Sequence, residues 1–208
     1  MRHFVNPFQS WYTEEMDRMR VLTEKVRELY ETRDLNRSEW ADWLYSSHVF
    51  LVADKARELA IRYGADEDLA EAAGMLHDIA DYRMSRFDSS HEKESLTIAR
   101  DLLLQSGFTT KEIEIVVDDS IHFHGCKAGK VPQTLEGKVM ATADAVVHLT
   151  SDFYDFAKRS MLLSRTESET REWALPKIER DYSDKIFFDE IREEVYDDYM
   201  QAKELFSL

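Results

Sequence analysis

The stretch that decides the fold is GMLHDIAD, which runs from Gly74 to Asp81. Its first half continues the apolar face of a helix. That face consists of Leu69, Ala72, Ala73 and Leu76. The face leads directly into the pair His77-Asp78. Neighbouring side chains on a helix point about 100° apart, so this pair can bind one cation, or the carboxylate can bridge two. The stretch therefore predicts ligand-type side chains at the end of a core helix.

Helical spacing of apolar residues extends along almost the whole chain, which contains only 6 Gly and 3 Pro. So few turn-forming residues favour long helices over a sandwich or barrel, and we predict an all-α fold. Capping signals place the helix starts at Ser10, Ser38, Asp66, Asp88 or Ser90, and Thr109 with Glu112. The helix that starts at Ser38 is expected to continue to Gly64, and the helix that starts at Asp88 or Ser90 is expected to end at Gly107. The C-terminal helices are expected to break near Pro176.

The composition limits the classes of function. The chain has 27 Lys and Arg against 42 Asp and Glu, a formal net charge of −15, and such a surface repels the phosphate backbone of bulk nucleic acid. No signal-peptide pattern and no apolar run of about 18 residues or more is present, so we expect a cytoplasmic protein without membrane contact. The single cysteine, Cys126, excludes an intrachain disulfide and a thiolate-rich zinc site.

Several histidines and aspartates fall on or beside the apolar helix faces. They are His48, His77, His91 and His124, with Asp78 and Asp144 at comparable positions. One such histidine is usually a packed core residue, but four together with two carboxylates are hard to bury without a cation. Imidazole and carboxylate ligands suit divalent ions, with iron, manganese, cobalt, nickel, zinc and magnesium all open.

The order of these residues resembles the HD superfamily of metal-dependent phosphohydrolases. The segments that match are His48, GMLHDIAD, His91, IHFHG (Ile121 to Gly125) and ATADAV (Ala141 to Val146). Small bacterial members that cleave diadenosine tetraphosphate symmetrically look most similar. The resemblance implies an HD helical bundle over about residues 40–155 within a single helical domain of residues 1–208. An N-terminal helix at 10–33 and C-terminal helices at 164–206 are expected to pack on it and to cover the pocket or form a homodimer contact.

The resemblance also implies the roles of the ligands. One ion is expected on His48, His77, Asp78 and Asp144, and a second on His91 and His124 with Asp78 bridging. His122 competes with His124 within the IHFH run, but helical phase favours His124, because it continues the stripe of Val117 and Ile121.

The implied activity is hydrolysis of a phosphoester or phosphoanhydride in a small nucleotide-like substrate by a metal-activated water. Asp78 and Arg83 are the expected catalytic residues. Candidate phosphate-binding cations are Arg83, Arg86, Lys93 and Lys127. Two alternatives use the same fold: a di-iron oxygenase with the same six ligands, and a binding module without turnover. The complete ligand set argues against the second.

Overall fold

A computed structural model describes residues 7–207, with side chains described from residue 18 onward. The α-helices are α1 (Pro7–Glu31), α2 (Ala41–Ser47), α3 (Val49–Tyr63), α4 (Glu67–Leu76), α5 (His91–Gln105), α6 (Thr110–Ile113), α7 (Leu135–Thr150), α8 (Phe153–Met161), α9 (Glu167–Ser183), α10 (Asp189–Glu194) and α11 (Tyr196–Leu205). Shorter 3₁₀ turns cover Ile79–Tyr82 and Lys127–Gly129, and a π-helical segment covers Glu114–Ile121. Residues 7–207 contain no strand, which confirms the all-α fold.

Several of the predicted helix boundaries are confirmed by their local chemistry, whereas the predicted start at Ser10 is wrong because α1 begins at Pro7. Asp66 accepts a hydrogen bond from the backbone N–H of Leu69 at the start of α4. Thr109 and Glu112 form the reciprocal capping box at the start of α6. Gly64 ends α3 with a φ of 76°, a backbone conformation that glycine adopts at little cost. No helix in the described part of the chain is long and apolar enough to cross a membrane.

Two expectations about helix continuity are wrong. The predicted helix from Ser38 to Gly64 is divided at His48, whose φ of −134° ends α2 and begins α3. Periodicity misses this break because His48 keeps apolar neighbours on both sides. The expected break near Pro176 is also absent, since α9 continues through it. Pro176 is exposed, so water can satisfy the carbonyl it leaves unpaired, while the buried Ala174 and Ile178 hold the helix on either side. The chain instead leaves α9 at Asp184.

Helix α7 is central and positions the site. It packs against α3, α4, the π-helical segment and α9, so residues on several of its faces are buried. Helices α3 and α4 approach closely at Gly74, where a Cβ atom would lie 2.9 Å from the Cα of Ala53. Helix α1 packs on α4, and α9 and α11 pack on α7. The C-terminal helices therefore reach the same helix that carries Asp144.

Candidate metal centre

Four side chains from three parts of the fold meet around one oxygen atom. His48 lies at the junction of α2 and α3, His77 follows α4, and Asp144 and His148 lie one turn apart on α7. Asp144 Oδ1 is 3.4 Å from His48 Nε2, 3.6 Å from His77 Nε2 and 3.3 Å from His148 Nε2. All four residues are buried. One carboxylate oxygen thus faces three ring nitrogens in the interior.

The atoms at this meeting point lack hydrogen bonds. Within residues 18–207, His48 Nε2, His77 Nε2 and Asp144 Oδ1 are buried polar atoms without a hydrogen-bond partner. Such atoms are costly in a native interior and call for an explanation. His77 Nδ1 lies 2.8 Å from the Gly74 carbonyl oxygen, which can only accept a hydrogen bond, so Nδ1 carries the proton. In the neutral ring, Nε2 therefore keeps a free lone pair, and this lone pair faces Asp144. A divalent cation between these atoms would satisfy them, so the residues fit a metal ion.

The protonation states agree with a metal site. Burial lowers the pKa of His48, and it lowers the pKa of His148 to about 3. Burial alone would raise the pKa of Asp144, but His148 and Lys185 outweigh it and lower that pKa well below its usual range. Neutral imidazoles and an ionised carboxylate are the forms that bind metal. Ligand atoms of His48, Asp144 and His148 also lie within 4.8 Å of one another.

Asp78 lies at the edge of this group and is held by Arg86. Its Oδ2 is 3.8 Å from His77 Nε2 and accepts a hydrogen bond of 2.8 Å from the Arg86 guanidinium. Burial would raise the pKa of Asp78, but His77 and Arg86 lower it. The Arg86 guanidinium also lies over the ring of Trp40, 4.9 Å from its centroid. Asp78 is therefore a fixed, ionised carboxylate.

The ligands that the resemblance implies for a second ion are arranged less closely. His124 Nδ1 donates to the Ile121 carbonyl at 2.6 Å, its ring is 5.3 Å from that of His77, and burial lowers its pKa to about 4. His91 Nε2 faces Asp81 Oδ1 at 3.2 Å. Among the described residues, Asp78, His91 and His124 do not form a group of mutually close ligand atoms. The second ion stays a prediction.

Placement separates His124 from His122. His124 lines the cavity beside His77, whereas the side chain of His122 is 40% exposed and lies 3.6 Å from Glu92. The position expected from helical phase is therefore the one that faces the cavity.

A cavity of about 390 Å³ opens above the centre. Its cationic lining consists of Arg86, Lys127, Lys177, Arg180 and Lys185. Two of the four predicted phosphate-binding cations, Arg86 and Lys127, are in this lining. The other two lie elsewhere: Arg83 pairs with Glu94 and Lys93 is exposed. Their predicted roles find no support in this placement.

Sequence reasoning did not select several residues of the site: His148, Lys177, Asp181 and Lys185. His148 could have been found, because it follows Asp144 at the four-residue spacing of one helix face. The other three belong to a strongly charged segment that resembles a solvated surface. Only the apolar run that follows Lys185, from Ile186 to Phe188, marks this part as buried.

Comparison with known proteins agrees with the geometry. The HD domain family model matches residues 45–148, half of the chain. A deoxyguanosinetriphosphate triphosphohydrolase-like protein of Desulfatibacillum aliphaticivorans is 27% identical over 138 residues, covering 58% of this chain and 39% of that protein. The chain thus spans about two fifths of the length of this curated relative. No solved structure matches the chain.

Proposed function

Because the chain belongs to the HD domain family, we propose that it is a metal-dependent phosphohydrolase acting on a phosphoester or phosphoanhydride of a small nucleotide-like substrate. The observation that carries the proposal is the convergence of His48 Nε2 and His77 Nε2 on Asp144 Oδ1, beside a cavity whose lining includes His77, Asp144 and five lysines and arginines. The name of the relative, which refers to a deoxynucleoside triphosphate, supports a nucleotide-like substrate.

His48, His77 and Asp144 would hold the first ion, with Asp78 completing the set as the resemblance implies. The second ion would lie on His91 and His124, with Asp78 shared. When bound, divalent ions supply a Lewis acid that activates water and neutralises charge developing on a phosphoryl group. The protein favours a neutral His48 and an ionised Asp144, and it keeps Asp78 in place through Arg86.

The cavity walls provide for both parts of a nucleotide. Arg86, Lys177 and Arg180 line the cavity and suit phosphate oxygens, Arg86 as a planar donor and Lys177 as a point charge. Phe87 and Trp173 also line the cavity and offer aromatic surface to a base. The net charge of −15 disfavours bulk nucleic acid, whereas a small phosphorylated substrate can reach the lysines and arginines that line the cavity.

The test is phosphate release from a panel of substrates by protein reloaded separately with manganese, iron, cobalt or zinc. The panel should contain nucleoside triphosphates, deoxynucleoside triphosphates, dinucleoside polyphosphates and phosphomonoesters. We expect turnover with at least one class, and a loss of about 100-fold or more in the isosteric Asp144→Asn variant. Turnover that survives this substitution would point to a contaminant. Oxygen uptake with iron and no phosphate release would favour the oxygenase alternative.

A further inference from the structure

Lys185 is a buried cation that lies beyond the region matched by the family model. Its side chain is 2% exposed, and its ammonium group donates a hydrogen bond to Asp144 Oδ2. The same group lies 3.3 Å from Asp181 Oδ1. An ammonium ion is expensive to remove from water unless it is paired, and Lys185 has two carboxylate partners.

The backbone around Lys185 is fixed by the helix that carries Asp144. Thr142, two residues before Asp144 on α7, donates its hydroxyl proton to the Lys185 carbonyl at 3.2 Å. The backbone N–H of Phe187 donates to the same hydroxyl oxygen at 3.1 Å. Thr142 is completely buried. These two hydrogen bonds join α7 to the segment after α9, and they fix the backbone from which the Lys185 side chain reaches Asp144.

Asp181 provides the second anchor for the Lys185 side chain. It is completely buried on α9, one helical turn before Lys185. It accepts a hydrogen bond from the Tyr154 hydroxyl and lies 3.0 Å from Lys177 Nζ. These partners keep the Asp181 carboxylate in place, so it restrains the Lys185 ammonium through a second contact in addition to that with Asp144.

The result is an asymmetric Asp144 carboxylate. Oδ2 is occupied by Lys185, whereas Oδ1 has no hydrogen-bond partner among the described residues and faces His48 and His77. We propose that Lys185 is a positioning residue that restricts Asp144 to ligation through one oxygen. This inference rests on the metal-binding part of the proposed function.

The sign of the change in metal affinity on removing Lys185 distinguishes a positioning role from a purely electrostatic role. A nearby ammonium repels a metal ion, so removal of its charge alone would strengthen metal binding. Removal of a group that orients a ligand weakens metal binding, typically by about 10- to 100-fold. The two explanations therefore predict opposite signs for the same substitution.

The experiment is calorimetric titration of metal-free protein with Mn²⁺, without phosphate substrate. We expect Lys185→Met to weaken binding by about 10- to 100-fold, and Lys185→Arg to restore part of the loss. The matched control is Lys158→Met, which removes a lysine bonded to the Leu205 carbonyl and should bind Mn²⁺ like the wild type. In the Co²⁺ form, the visible spectrum should change in Lys185→Met and remain unchanged in Lys158→Met.

Unchanged or tighter Mn²⁺ binding by Lys185→Met would overturn the inference while leaving the proposed function intact. A wild-type protein that binds none of the ions tested would overturn both. If Lys185→Met does not fold, Thr142→Val serves instead, because it keeps the lysine and removes only its backbone connection. Thr142→Val should weaken Mn²⁺ binding, and wild-type affinity in that variant would likewise overturn the inference.

Discussion

His48 and His148 stack with ring centroids 4.9 Å apart and ring planes only 4° from parallel. Both rings are buried, and both face the same oxygen of Asp144 through Nε2. A proton added to either ring would place a positive charge against its neighbour in the interior. Burial lowers the pKa of both rings and so favours neutral imidazoles, which are also the form that a metal ion requires.

This preference predicts that acid destabilises the metal-free protein. Burial lowers the pKa of His124 to about 4 and of His148 to about 3 in the folded state, while both are about 6.5 when unfolded. The unfolded chain thus binds protons first, and the free energy of unfolding falls as pH drops from about 6.5 towards 3. We expect a loss on the order of a few kcal/mol, measured by urea denaturation across this range.

His91 acts in the opposite direction. Burial lowers its pKa, but the hydrogen bond with Asp81 and the charges of Asp78 and Asp81 together outweigh burial and raise it. Its contribution to stability is therefore present below about 6.5 and is lost as pH rises. The lowered pKa values of Asp78 and Asp144 favour folding at higher pH, as do those of the stacked histidines. Stability that stays constant or increases between pH 6.5 and 4 would show that the buried rings are not the dominant groups.

Metal addition should stabilise the fold. At a free Mn²⁺ concentration of 100 times Kd, an ion that binds only the folded state adds about 2.7 kcal/mol to the free energy of unfolding. Asp144→Asn should abolish this increment, because it removes the negative charge of the carboxylate that the three ring nitrogens face. Thermal unfolding with and without chelator measures it. An equal increment in wild type and variant would place the ion elsewhere.

Metal stoichiometry should distinguish the two predicted ions. His48, His77 and Asp144 are separate from His91, which contacts Asp81. We therefore expect elemental analysis to find about two ions per chain in the wild type and about one in His91→Ala. One ion in both proteins would confine the metal to the first group.

Substitutions of two neighbouring arginines should have unequal effects on turnover. Arg86 lines the cavity and binds Asp78, whereas Arg83 is 42% exposed and pairs with Glu94. Arg86→Met should lower kcat/KM by about 10-fold or more, because it removes a charge-assisted hydrogen bond at the site. Arg83→Met should have the smaller effect. A larger loss of phosphate release in Arg83→Met than in Arg86→Met would show that Arg83 takes part in the site.

Gly74→Ala tests the close approach of α3 and α4. The added Cβ would lie 2.9 Å from Ala53 Cα and 3.1 Å from the Val52 carbonyl carbon, and backbone atoms cannot move aside cheaply. We expect a loss of about 1–3 kcal/mol in unfolding free energy. Gly125→Ala is the matched control, since its Cβ meets only the flexible Lys127 side chain at 3.3 Å. Similar stability in both variants would contradict this account of Gly74.

The sequence predicts most of the fold because caps and periodicity are local signals. Asp66, the Thr109–Glu112 box and Gly64 each act on residues within one helical turn. The break at His48 has no such signal, since it depends on how α2 and α3 pack. The same limit applies to Arg83 and Arg86, three residues apart in a loop, where only tertiary structure decides which guanidinium faces the cavity.

The residues of the candidate site also fall into those that local sequence patterns identify and those that only tertiary structure reveals. Motif spacing selects His48, His77 and Asp144, which the structure brings together. Lys185 and Asp181 escape sequence reasoning because their burial results from long-range packing of α9 on α7. A charged residue in a charged segment carries no local mark of being buried.

The connection between Lys185 and Asp144 has a consequence for protein engineering. A fragment that stops after α8 would keep every histidine and aspartate of the HD-matching region, yet leave the Asp144 carboxylate without its ammonium partner. Residues 45–148 grafted into another scaffold would likewise lack Lys185. The smallest fragment that keeps this centre intact therefore extends at least to Phe187, whose backbone N–H donates a hydrogen bond to the Thr142 hydroxyl.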